Sequence, residues 1–116
     1  EPTMSQVIPP VILSEDVAQV VNEGGSVIVI CLESVSRKGT AVVGKWIFEV
    51  VSADKKTRRL VVYKVRNKAE TSLTVSGVAS KIISWGFPGI IIPKEKGQAF
   101  ELFKDGSYSA DWRSDT

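Results

Sequence analysis

The sequence predicts an α+β fold, a single domain built on a twisted, mainly antiparallel sheet of five or six strands with two helices. Three observations carry the prediction. A chain of 116 residues with 43% apolar and 24% charged side chains is long enough for one core. Residues 27–32 and 40–51 are rich in β-branched and aromatic residues and are separated by turn-forming ones. Only two segments place apolar residues at helical spacing, one after Ser14 and one after Ser76.

Residues 1–13 read as an extended arm, because Pro9 and Pro10 deny the apolar residues 7–13 a regular ladder. Met4 reads as a native start, which sets Glu1, Pro2 and Thr3 outside the fold argument. The domain then runs over 14–112, and 113–116 form a frayed tail. Ser14 is the expected N-cap of the first helix, with Glu15 and Asp16 opposing the positive helix end and Val17, Val20 and Val21 forming its apolar stripe. Gly24 and Gly25 stop it.

The continuous apolar run 27–32 predicts a strand covered on both faces. Arg37, Lys38 and Gly39 suit a three-residue hairpin loop leading to a return strand over 40–51. With Ser36 facing Thr40, Ile30 opposes Trp46 and Ile28 opposes Phe48. A turn over 54–57 with Ala53 facing Arg58 sets Phe48 against Tyr63, Trp46 against Val65 and Val50 against Val61. Both turns then bury the same face. The other face mixes Val29, Ile47, Val51, Leu60 and Val62 with Lys45, Arg58, Lys64, Arg66 and Glu49, so a helix, a second subunit or a ligand should cover part of it.

Asn67 and Lys68 mark a turn, and Thr71, Leu73 and Val75 alternate as a brief strand. A second helix follows over 76–85, ended by Gly86 and Pro88. Residues 90–92 predict a short buried strand closed by Pro93, and residues 94–98 a polar loop. Strands over 99–103 and 107–112 flank Asp105 and Gly106, a strong hairpin-turn pair.

Charge supplies the functional signal. Residues 37–68 hold ten Lys and Arg (Arg37, Lys38, Lys45, Lys55, Lys56, Arg58, Arg59, Lys64, Arg66, Lys68) against Glu49 and Asp54, a block of +8 in a chain whose total is +2. The remainder is therefore −6, and the folded surface has an electrostatic preference. Cationic β-ribbons follow phosphate backbones or enter a groove, each Lys or Arg releasing counterions. This makes Arg37, Lys38, Lys45, Lys55, Lys56, Arg58, Arg59, Lys64 and Arg66 the candidate nucleic-acid contacts. The bland alternative is that Lys and Arg keep strand edges soluble and unpaired.

Catalysis finds no support. The chain has no histidine and one cysteine, so a thiol-imidazole nucleophile and a cysteine-histidine zinc site are both excluded. No cofactor motif is present, and no apolar run reaches the roughly 18 residues of a membrane helix. Cys31, alone in an apolar run, fits a reducing cytoplasmic setting. Trp85 and Phe87 lie in a turn-rich loop and are candidate partner contacts, the other reading being a clasp over the core beside Gly86. The expected function is thus a non-catalytic nucleic-acid-binding or nucleic-acid-associated accessory protein. The alternative is a protein-interaction module, a small inhibitor or adaptor whose basic face docks an acidic partner, with a homodimer through the sheet as a further form.

Overall fold

The computed structural model describes residues 11–62 and 69–110. Strand β1 (Val11–Leu13) leads directly into helix α1 (Ser14–Asn22). Two long strands follow, β2 (Ser26–Lys38) and β3 (Ala41–Val51), and then β4 (Arg58–Val62). After β5 (Ser72–Thr74) and α2 (Val75–Ser84) come β6 (Ala99–Phe103) and β7 (Tyr108–Ser109). The fold is α+β as expected, with seven strands among the described residues rather than five or six. They form one sheet in the order β1-β4-β3-β2-β6-β7, with β5 also on β3, and β1 runs parallel to β4 while the other pairs are antiparallel.

Each helix starts and stops for local reasons. Parallel pairing with Val62 holds Leu13 extended, so Leu13 is the cap residue and Ser14 opens the helix without capping it. Both helices end in the same device. Gly24 and Gly86 adopt φ of 106° and 95°, a conformation costly for any residue with a Cβ. Gly24 N–H then donates to Val21 O and Gly25 N–H to Val20 O, as Gly86 N–H does to Ile83 O and Phe87 N–H to Ile82 O, satisfying carbonyls the helices leave open. At the start of α2 the Thr74 hydroxyl accepts from Gly77 N–H at 3.0 Å.

The hairpin register differs from the expected one, and the difference decides the faces. Lys38 pairs with Ala41 across a two-residue Gly39 and Thr40 turn, but β2 carries extra residues at Leu32 and at Ser34 and Val35. Below these bulges Cys31 pairs with Trp46 and Ile30 with Ile47. Ile28 and Ile30 therefore lie on the opposite side from Trp46 and Phe48, and Val27, Val29 and Cys31 take their place, one residue off the expected register. Between β3 and β4 the slip is two residues, Val50 facing Arg59 and Val51 facing Arg58, which preserves the faces. Tyr63, Val65 and the 67–68 turn lie outside the described residues, as do Pro9, Pro10 and Trp112.

Both helices pack on one side of the sheet. Val17 and Val21 from α1 and Val78 and Ile82 from α2 bury Val27, Val29, Cys31, Trp46, Phe48, Val50, Val61 and Leu102. Each fully buried aliphatic of this set contributes about 2 kcal/mol. Trp46 Nε1–H donates to Pro93 O at 2.8 Å, drawing residues 90–93 across the core as a strap. That segment is not the expected strand: Ile90 is exposed, Ile91 and Ile92 are half-buried, and none pairs with a neighbour in the sheet. The second side of the sheet holds a smaller cluster made only of strand residues, Ile28, Ile30 and Ala99, with Leu32, Ile47 and Val51 against it. The second helix therefore does not cover the mixed face.

Candidate nucleic-acid interface

The described cations of the basic block fall into two groups, one at each end of β3. At the hairpin tip Arg37 and Lys38 are exposed and flank the turn, opposite Val42 and Ala41. Adjacent strand residues point to opposite faces, so the two charges project on either side of the ribbon. Lys45 is half-buried one bulge further in, opposite Glu33.

Two lysines that the charge count did not single out join this end. The segment 94–98 docks along the edge of β2: Val35 N–H donates to Lys94 O at 2.8 Å, and Lys96 N–H to Ser34 Oγ at 2.9 Å. Cys31 N–H donates to Gln98 O and Gly97 N–H to Cys31 O, both at 2.9 Å. The loop is braced internally by Gln98, whose Oε1 accepts from Lys94 N–H and Glu95 N–H at 3.1 Å. Lys94 and Lys96 are exposed beside the tip, with Glu33 and Glu95 the nearby acids. In the sequence they belong to the acidic remainder, 62 positions from their neighbour in the case of Ser34 and Lys96. Only the pairing of β6 with β2 brings them here.

At the opposite end some of the charge is met within the chain. Arg58 forms an ion pair with Glu49. Lys55, held at φ 63°, lays its Nζ 5.3 Å from the centre of the Phe103 ring, a cation-π contact. Asp54 accepts from the Ser52 hydroxyl and from Lys56 N–H, and these bonds hold its carboxyl below the usual carboxylate range. It therefore stays ionised at neutral pH. Arg59 projects to the helix side, where it lines a cavity of about 400 Å³ with Asp16, Gln19 and Glu23. Arg58 and Lys55 are thus engaged by side-chain partners, while Arg59 Nε is buried without a hydrogen-bond partner among the described residues. Lys64 and Arg66 lie outside the described residues.

Trp85 and Phe87 are corrected as partner contacts. They are 4% and 6% exposed, Trp85 meets Phe48 edge-on at 5.3 Å, and its Nε1–H donates to Ser14 O. The clasp reading is the one the structure adopts, because the Gly86 turn folds the two rings back under the helix.

Cys31 is buried, its thiol donates to Glu33 O at 3.0 Å, and burial pushes it above its ordinary value. Such a thiol is a poor nucleophile at neutral pH. Among the described residues no group of three or more His, Cys, Asp or Glu is placed to hold a metal ion, and no helix is long and apolar enough to cross a membrane. No protein-family model, no curated protein and no solved structure matches the chain.

Proposed function

We propose that this chain is a non-catalytic nucleic-acid-binding protein whose phosphate contacts centre on the hairpin tip, through Arg37, Lys38, Lys94 and Lys96. The observation that supports it is the convergence of two distant cationic segments on one exposed ribbon end, with Arg58 and Lys55 at the other end engaged by Glu49 and by the Phe103 ring. Exposed cations spread along a ribbon and the loop at its edge suit an extended phosphate backbone, and a two-stranded ribbon fits a major groove.

The test is a fluorescence-anisotropy titration with generic single-stranded and double-stranded oligonucleotides across salt. Four phosphate contacts on a duplex give a log-log slope of about −3.6, a loss of roughly a hundredfold in affinity between about 50 and 200 mM salt. Changing Arg37, Lys38, Lys94 and Lys96 to Ala should flatten that slope. The same change at Lys55, Lys56, Arg58 and Arg59 should flatten it less. Absence of binding to both oligonucleotides at 50 mM salt refutes the proposal and favours an acidic protein as the partner of the tip.

A further inference from the structure

We propose that the cavity between α1 and β4 binds a small zwitterion of the α-amino-acid class, with its carboxylate on Arg59 and its ammonium group on Asp16. This goes beyond the nucleic-acid reading and does not depend on it.

Arg59 occupies an inward position. Strand alternation puts it in the same row as Val61, which is buried in the core with Val17 and Val21 of α1, so its side chain enters the space between helix and sheet. The Arg59 Nε is closed to water and has no hydrogen-bond partner among the described residues. Buried polar atoms are nearly always paired, and each exception calls for a reason. A Met side chain would fill the same place with no polar atom to desolvate. A cation held there without a partner fits a ligand that supplies one.

The lining selects the ligand class. The cavity holds about 400 Å³, within the roughly 300 to 1,000 Å³ of pockets that take small molecules. Asp16, Gln19 and Glu23 follow one another at helical spacing along its rim and are exposed, whereas Arg59 is half-buried. Among the described residues neither carboxylate forms an ion pair with Arg59. Glu23 is held by the Gln19 amide, whose Nε2–H donates to Glu23 Oε2 at 3.3 Å, which leaves Asp16 as the acid open to a ligand. A simple anion at Arg59 would meet two carboxylates, and a simple amine at Asp16 would meet the guanidinium. A molecule that carries both charges satisfies both groups with charge-assisted hydrogen bonds. Leu13 and Val20 also line the cavity, so an aliphatic side chain suits the rest of the ligand.

The test is two-dimensional amide NMR of the intact chain titrated with L-leucine, and with isocaproate and isoamylamine, which are leucine without its ammonium group and without its carboxylate. Leucine should give saturable shifts at Leu13, Asp16, Val20 and Arg59, with a dissociation constant on the order of 1 mM. Each half-ligand should bind about tenfold more weakly, and Arg59→Met and Asp16→Asn should each weaken leucine by about the same factor. Without leucine, Arg59→Met should melt no lower than the wild type, because it removes a desolvated cation that has no partner. A clearly lowered melting point would show that Arg59 is paired within the chain and would overturn the proposal. The absence of saturable shifts at about 20 mM leucine overturns it too, as do half-ligands that bind as well as leucine or variants that bind it unchanged.

Discussion

Replacing either partner of the Glu70 and Lys81 ion pair should cost unequal amounts of stability, and the inequality follows from their surroundings. Glu70 lies where the chain rejoins the sheet before β5, its N–H donating to Val61 O at 2.8 Å, and its carboxylate pairs with Lys81 of α2. The Glu70 side chain is 9% exposed and that of Lys81 26%. Burial lowers the Lys81 pKa below its ordinary value, yet the ammonium is near enough to water to be solvated if its partner is lost. Glu70→Gln should therefore cost about 1 kcal/mol. Lys81→Met leaves a carboxylate without its counter-charge in a site largely closed to water, and should cost about 3 kcal/mol. In that variant burial without a counter-charge raises the folded-state pKa of Glu70 above its unfolded value of about 4.3, so the folded state is penalised wherever the group is ionised. The deficit relative to wild type is then largest at neutral pH and narrows as pH falls towards the unfolded value. Urea unfolding at pH 7 and pH 4.5 measures both quantities, and Glu70→Leu with Lys81→Met should recover most of the loss. Equal costs for the two single changes, or a Lys81→Met deficit independent of pH, would refute the reasoning.

Two further outcomes follow from packing. A Cβ on Gly25 would lie 2.6 Å from Val51 O and 2.7 Å from Val20 Cγ1, so Gly25→Ala should lower stability by about 2 kcal/mol or more in a thermal or urea melt. Cys31 should be unreactive towards a thiol reagent in the native chain at pH 7.5 and react fully in denaturant. Its folded pKa is raised from 9.0, so the stability it confers is complete below that value and is lost as pH rises through the folded pKa.

Much of the fold is legible in the sequence because its signals are local. The helix ends are set by Gly24 and Gly86, the β6 and β7 turn by Asp105 and Gly106, and the two-sided burial of β2 by an unbroken apolar run. What is not legible depends on pairing. The bulges at Leu32 and at Ser34 and Val35 have no local residue signature, and one extra residue exchanges the faces of Ile28 and Ile30. The site shows the same division. Arg37 and Lys38 are visible as charges on a turn, whereas Lys94 and Lys96 reach them only through the β2 and β6 pairing. Arg58 and Arg59 look equivalent in the sequence, but strand alternation sends one to Glu49 and the other under α1.

The basic end owes its composition to a single small residue in β3. Gly44 stands alone against Ser34 and Val35 at the second bulge, and a Cβ there would lie 2.7 Å from the Trp46 indole. The indole occupies that space, and its Nε1–H anchors Pro93, the residue from which the segment bearing Lys94 and Lys96 departs along the β2 edge. Gly44→Ala alters no charge, but it displaces Trp46, releases Pro93 and loosens the lysine loop from the tip. Stability should fall by about 1 to 3 kcal/mol from overpacking. The salt slope of oligonucleotide binding should lose the share of Lys94 and Lys96, about 1.8 of its 3.6. Trp46→Phe relieves the crowding but removes the Nε1–H donor, so it should flatten the slope likewise while packing more easily beside Gly44. Unfolding curves and the anisotropy titration are read on the same samples. A Gly44→Ala chain that is destabilised yet keeps the full wild-type slope would show that Lys94 and Lys96 do not act at the tip.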